Sequence, residues 1–98
     1  MARSFAGTTD IPTAGTRVQI SNTPRRCLSI TFKARIGNTG SIYVGGSTVS
    51  STNGVELRAN EGKSYNFGAA GVSCSINEFY VDTATNGNDV DWFAVMWD

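Results

Sequence analysis

The chain has 98 residues, with eight basic and eight acidic side chains, no histidine, and 40% hydrophobic against 16% charged residues. At this length one domain with a modest core is expected, removing roughly 60–68% of its unfolded surface from water. The neutral balance argues against nucleic acid as a partner, no apolar run reaches membrane-spanning length, and the usual base for a Ser or Cys nucleophile is missing.

Residues 1–15, MARSFAGTTDIPTAG, carry no helical or strand period. They are expected to form an extended N-terminal arm, either frayed or docked on a neighbouring subunit through Phe5 and Ile11. They lack the apolar stretch of a signal peptide, so synthesis in a cytoplasm is expected. Residues 16–98 read as a single domain of strands. RVQIS places Val18 and Ile20 on one face. TPRR, with Arg25 and Arg26, is a turn. In CLSITFKARI, Leu28, Ile30, Phe32, Ala34 and Ile36 alternate with Ser29, Thr31, Lys33 and Arg35, the pattern of a strand with one buried and one wet face.

GNTG then turns into SIYVGG, and the Asn-Gly of TNG signals a hairpin into VELRA. ANEG leads to KSYNFG. VSCSINEFYVD changes phase between Val72, Cys74, Ile76 and Phe79, Val81, which predicts a bulge near Asn77 and Glu78. After TNGND, VDWFAVMWD is apolar on both faces and predicts a central or doubly covered strand. Seven or eight short strands with no helical window predict an antiparallel β-sandwich or jelly-roll-like barrel.

Chemistry-bearing motifs are sparse. EGKS (Glu61–Ser64) has the end of a phosphate loop but Leu57 where the motif needs glycine, and no helix start follows it. DTATNGND has calcium-loop spacing at Asp82, Asn86 and Gly87. Its third position is Ala84 and its twelfth Phe93, so an Asn- and Asp-stabilised turn is the better reading. Candidate acids Glu56, Glu61, Glu78 and Asp91 fall beside turns or on wet faces. No catalytic residue, metal ligand set or cofactor site is assigned, and the chain is not expected to be an enzyme. Cys27 and Cys74 fall on strand-like segments; buried free thiols are the favoured reading, and a disulfide between them stays open. Basic residues gather before Arg35 and acidic ones after Glu61, to be neutralised within the fold or matched by a partner. Among Trp92, Phe93 and Trp97, alternation puts Phe93 and Trp97 on one face, as core, as interface anchors, or as a sugar-stacking platform.

From TGSIYVGGSTVSSTNGVEL (Thr39–Leu57) to the closing VDWFAVMW, the chain resembles a family of small tailed-bacteriophage virion proteins. They share its order of a strand, TG, IYVGGS, a V…NG hairpin, a Leu-bearing strand and a Trp-bearing last strand. Where this chain has RANEG, that family more often has a Pro-Gly or Gly-Glu turn. The resemblance implies a virion protein made in the host cytoplasm: a decoration or cement protein that binds the major capsid protein as a homo-oligomer, often a trimer. Alternatives are a tail, neck or fibre-base protein, or a carbohydrate-binding host-recognition module.

Overall fold

Strands dominate because β-branched and aromatic side chains recur at every second position, where a pleated surface accommodates them and a helix would crowd them. The structure, a computed structural model, describes residues 2–67 and 74–97, without the side chains of Ala2 and Trp97. Nine strands occur among the described residues: β1 (Ala2–Ile11), β2 (Val18–Gln19), β3 (Arg26–Ala34), β4 (Ile42–Gly45), β5 (Val55–Leu57), β6 (Gly62–Asn66), β7 (Cys74–Ser75), β8 (Tyr80–Thr83) and β9 (Asn88–Trp97). One sheet runs β1-β9-β3-β6, with β7 also on β3; the other runs β2-β8-β4-β5. The pairs are antiparallel, and the two sheets form a β-sandwich.

The pairing is nested. β4 pairs β5, β3 pairs β6, β2 pairs β8, and β1 pairs β9, so the chain is one long hairpin folded over on itself. In three of these pairs partners count inward from both ends at equal pace: Ala2 faces Trp97, Val18 faces Val81, and Ile42 faces Leu57; β3–β6 is offset, with Ile30 facing Tyr65. Rolling such a ribbon so that its pairs alternate between two sheets gives jelly-roll topology.

The core lies between the sheets. Phe32, Ile30 and Ala34 of β3 meet Ile42 and Val44 of β4, Val81 of β8, and Val90 and Ala94 of β9. Phe32 is fully buried, with the ring of Phe79 at 5.6 Å and that of Tyr65 at 6.3 Å, edge-on. The β3–β9 register shifts between Cys27 and Ser29, so Leu28 leaves the alternation there. The phase change expected as a bulge at Asn77 and Glu78 is made by one 3-10 turn, Ile76–Glu78, which buries Ile76. Val72, assigned to the same expected strand, lies outside the described residues.

Residues 2–11, expected in the arm, are extended, and their partner is β9 of the same chain along the whole of β1. The inward positions Phe5, Gly7, Thr9 and Ile11 include a glycine and a threonine, so hydrophobic alternation does not show. Gly7 is required: a Cβ there would lie 2.7 Å from the Trp92 ring.

At one end of the sandwich a buried amide joins two loops. The Asn88 side-chain NH2 donates to Thr83 Oγ1 and Thr85 Oγ1, both at 2.8 Å, and to the Gly40 carbonyl at 3.3 Å. Its Oδ1 accepts from the Thr39 N–H at 3.0 Å. Removing it leaves several of these groups without their partner. Asn88→Ala is expected to lower the unfolding free energy by about 2–3 kcal/mol in urea titration. The exposed Asn86→Ala, which loses a bond from the Ala14 N–H, should cost less than about 1 kcal/mol.

Candidate interaction surface

Period two on β9 sends Val90, Ala94 and Met96 inward and Asp91, Phe93 and Val95 outward. Two rows of aligned residues cross the outer face of the first sheet: Ala6, Phe93, Thr31, Ser64, and Thr8, Asp91, Lys33, Gly62. Phe93 is half exposed, at 50%. Its neighbours in the row, Ala6 and Thr31, are too short to cover the ring. An open groove of about 490 Å³ runs beside it, with Thr8, Lys33, Arg35 and Asp91 on its polar side.

The polar side is preorganised. Thr8 Oγ1 donates to Asp91 at 2.6 Å, and Arg35 Nε donates to the same carboxylate oxygen at 2.9 Å. Arg35 also donates to Thr8 Oγ1 at 3.2 Å, which closes the triangle. The Thr8 hydrogen bond, and then the Arg35 guanidinium, hold Asp91 below the usual carboxylate range despite some burial. Its share of stability is therefore present above the ordinary carboxylate pKa and is lost as pH falls through the lowered value. Asp89 goes the other way. Burial raises its pKa first, and Asp10, its direct partner across the ladder, adds a hydrogen bond and like-charge repulsion.

The expected interface residues separate in space. Ile11 has no exposed surface and belongs to the core, so it is not available to a partner in the folded chain. Phe5 packs against the core, and the Arg25 guanidinium sits 4.9 Å from its ring centre, a cation–π contact within the chain. Arg26 is exposed at the start of β3. Trp97 pairs with Ala2 at the end of β9, and its side chain lies outside the described ones. Of the six, Phe93 is the apolar side chain set in an open sheet face. Sequence reasoning missed Thr8, Lys33 and Arg35 as its neighbours; alternation placed Lys33 and Arg35 on a wet face, but the register that gathers them with Thr8 is not local.

The decoy motifs resolve into structure. Gly62–Ser64 of EGKS is strand. Asp82 is buried, and its Oδ1 accepts from the Gly15 N–H at 3.0 Å and the Thr83 N–H at 2.8 Å. Among the described residues, no three His, Cys, Asp or Glu side chains gather as a metal site. A second cleft, about 480 Å³ and mostly apolar, opens between the sheets near Val44, Val55, Tyr65, Phe67, Cys74 and Phe79.

No protein-family model matches the sequence, and no curated protein matches it. The fold is similar to part of the IMPa metallopeptidase from Pseudomonas aeruginosa, solved in complex with an O-glycopeptide. That likeness has a TM-score of 0.57 at 14% identity and covers 96% of this chain but 12% of the peptidase. It is also similar to a subunit of Bacillus endospore appendages, described as disulfide-linked pili, with a TM-score of 0.59 at 8% identity, covering 98% of this chain and 84% of that one. At these identities the likeness is one of fold: the sandwich serves as a small part of a large enzyme and as nearly a whole appendage subunit.

The Asp10–Asp89 pair gives a measurable pH dependence. The two side chains are direct partners across the ladder and repel as like charges, so Asp10→Asn should raise stability at neutral pH by about 0.5 kcal/mol. Asp89 has a raised folded pKa, so the wild type regains stability as pH falls through that raised value, and the advantage of the variant shrinks with it. Thermal unfolding of both proteins between neutral and acid pH checks this.

Proposed function

We propose that the chain is a non-enzymatic structural protein of a virion. In this reading it is a decoration-type subunit that adheres through the outer face of its β1-β9-β3-β6 sheet and works as a homo-oligomer, most simply a trimer. The observation that carries this reading is the half-exposed Phe93 ring, set in a row of small uncharged side chains, Ala6, Thr31 and Ser64, on the sheet face. An aromatic anchor of this kind buries a large apolar area on contact while its short neighbours let a partner approach closely. The virion setting is supported by the sequence pattern from Thr39 to Leu57 and the Trp-bearing last strand. Fold likeness to an appendage subunit along most of both chains is compatible with a building-block role. Copies bound to a shell would bridge neighbouring major capsid subunits, and affinity available only to the assembled lattice would stabilise it. A position in the tail, neck or fibre base would use the same face in fewer copies.

A second reading has its own observation. The Phe93 ring beside the Thr8–Asp91–Arg35 triangle pairs an apolar platform with fixed polar groups, which suits a sugar ring. Trp92 lines the same groove, so glycan binding there should change tryptophan fluorescence.

Phe93→Ser should keep the β-sheet circular dichroism signal but weaken binding to purified particles about tenfold or more. High copy number by quantitative staining of particles is the expected result for a shell protein, and a low one favours the tail. Unchanged particle binding by the folded variant overturns the role of this face. Fluorescence quenching by a glycan, with no particle binding, favours the second reading.

A further inference from the structure

Cys27 and Cys74 are direct partners in the β3–β7 ladder. Residues directly opposite in an antiparallel pair point to the same face, with Cα atoms about 4.5–5.5 Å apart. A disulfide spans Cα separations of about 4.4–6.8 Å, so a directly opposed pair falls within its Cα range. Both thiols are unbridged. The Cys27 thiol donates to the Ser29 carbonyl at 3.1 Å, and the Cys74 thiol to the Glu78 carboxylate at 3.2 Å. Cys27 is fully buried, whereas Cys74 is half-buried on the wall of the apolar cleft between the sheets. A small reagent therefore reaches Cys74 first.

We propose that Cys27 and Cys74 form a cross-strand dithiol site that reacts with a small-molecule disulfide and closes to an intramolecular bridge between β3 and β7. The Cys74 thiolate attacks one sulfur of oxidised glutathione, forms a mixed disulfide and expels one glutathione thiolate. Cys27 then gives up its proton, and its thiolate attacks the Cys74 sulfur, expelling the second glutathione. The protein loses two protons and two electrons; the electrons end on the two glutathione sulfurs.

The same surroundings make the dithiol slow to close at neutral pH. The titratable groups facing Cys74 are Cys27 across the ladder, Glu78 on the 3-10 turn and Tyr65 across the cleft. Burial first, then the Glu78 carboxylate, push the Cys74 thiol up to about 11. Little thiolate is present at neutral pH, and the reaction quickens as pH rises. β7 is two residues long, so the bridge adds a covalent tie where the ladder is shortest. The site stands independently of the role of the Phe93 face.

The test incubates the full chain with oxidised glutathione at neutral and alkaline pH and follows intact mass under non-reducing conditions. The expected product has lost two hydrogens, stays monomeric on a denaturing gel, and yields a linked peptide containing Cys27 and Cys74. It should form about tenfold faster for each pH unit below the Cys74 pKa and melt about 10 °C higher than the reduced protein. Cys27→Ala should stop at one glutathione adduct on Cys74. Glu78→Gln, which keeps a hydrogen-bond acceptor but removes the charge, should close about threefold or more faster. Stable glutathione adducts without closure in the wild type, bridged dimers in place of the internal link, or an unreactive folded protein would each overturn the proposal.

Discussion

Everything in this molecule hangs on β9 being hydrogen-bonded along both edges, to β1 on one side and β3 on the other. Fixing β9 fixes which side chains look inward, because a one-residue slip of β9 on β3 would send Val90, Ala94 and Met96 to solvent, and a slip of β1 on β9 would do the same to Phe5 and Ile11. The cost of that slip sets the register of β1, whose own sequence specifies register poorly. Gly7 and Thr9 bury little, but Gly7 leaves the space that the Trp92 ring occupies. The same ladders bring Thr8 and Arg35, far apart in the chain, onto one carboxylate of Asp91. The outer groove is therefore a by-product of the register that the core demands.

The two ends of the sandwich are built differently. At one end polar loops are stitched together: Asn88 holds the β3–β4 and β8–β9 loops, Asn38 and the Asp89 backbone exchange hydrogen bonds, and Asp82 and Asn86 hold the β1–β2 loop. This explains a sequence so rich in Asn, Thr and Gly. A rolled hairpin must turn between sheets at nearly every strand end, and each turn leaves backbone groups that short amide and hydroxyl side chains can satisfy. At the other end the aromatic rings of Tyr65, Phe67 and Phe79 line a cleft, and Phe67 and Phe79 sit 6.1 Å apart. There the apolar core reaches the surface.

What could be read from the sequence follows from how local each signal is. The strand read at Cys27–Ile36 was legible from Ile30 to Ala34, where its own alternation reports the sheet face, whereas Ile36, read on the buried face, lies past the end of β3 and is exposed; the all-β sandwich followed from several such runs. β1 was not, since a glycine and a threonine occupy inward positions and its strand character comes from β9. Ile11 was a candidate for docking, with Phe5, because two apolar residues in an otherwise polar segment look unpartnered; in the fold Ile11 faces the core across from Asn88. Period two separated Phe93 from Trp92, Ala94 and Met96 but left open which of the two faces is buried, and the triangle beside Phe93 required long-range register. The cysteines read as strand residues, but their direct opposition depends on β7 folding back onto β3, which no local pattern announces.

Among the described residues the surface combines low charge with the half-exposed Phe93 ring, and this bears on the association proposed above. β1 is an open edge, and such edges invite non-specific pairing. Arg3 and Asp10 put opposite charges near its two ends, so a strand laid along it has to match both. Approach to the Phe93 face carries a different constraint. Asp91 is already held by Thr8 and Arg35, so an incoming apolar surface meets a charge that is largely neutralised before contact, and the desolvation penalty of an isolated carboxylate is avoided. Lys33, in the same row as Asp91, is left to favour partners with acidic or carbonyl-rich rims. In the adhesive role proposed above, the face would call for a partner that covers the Phe93 ring and meets the Lys33 ammonium group.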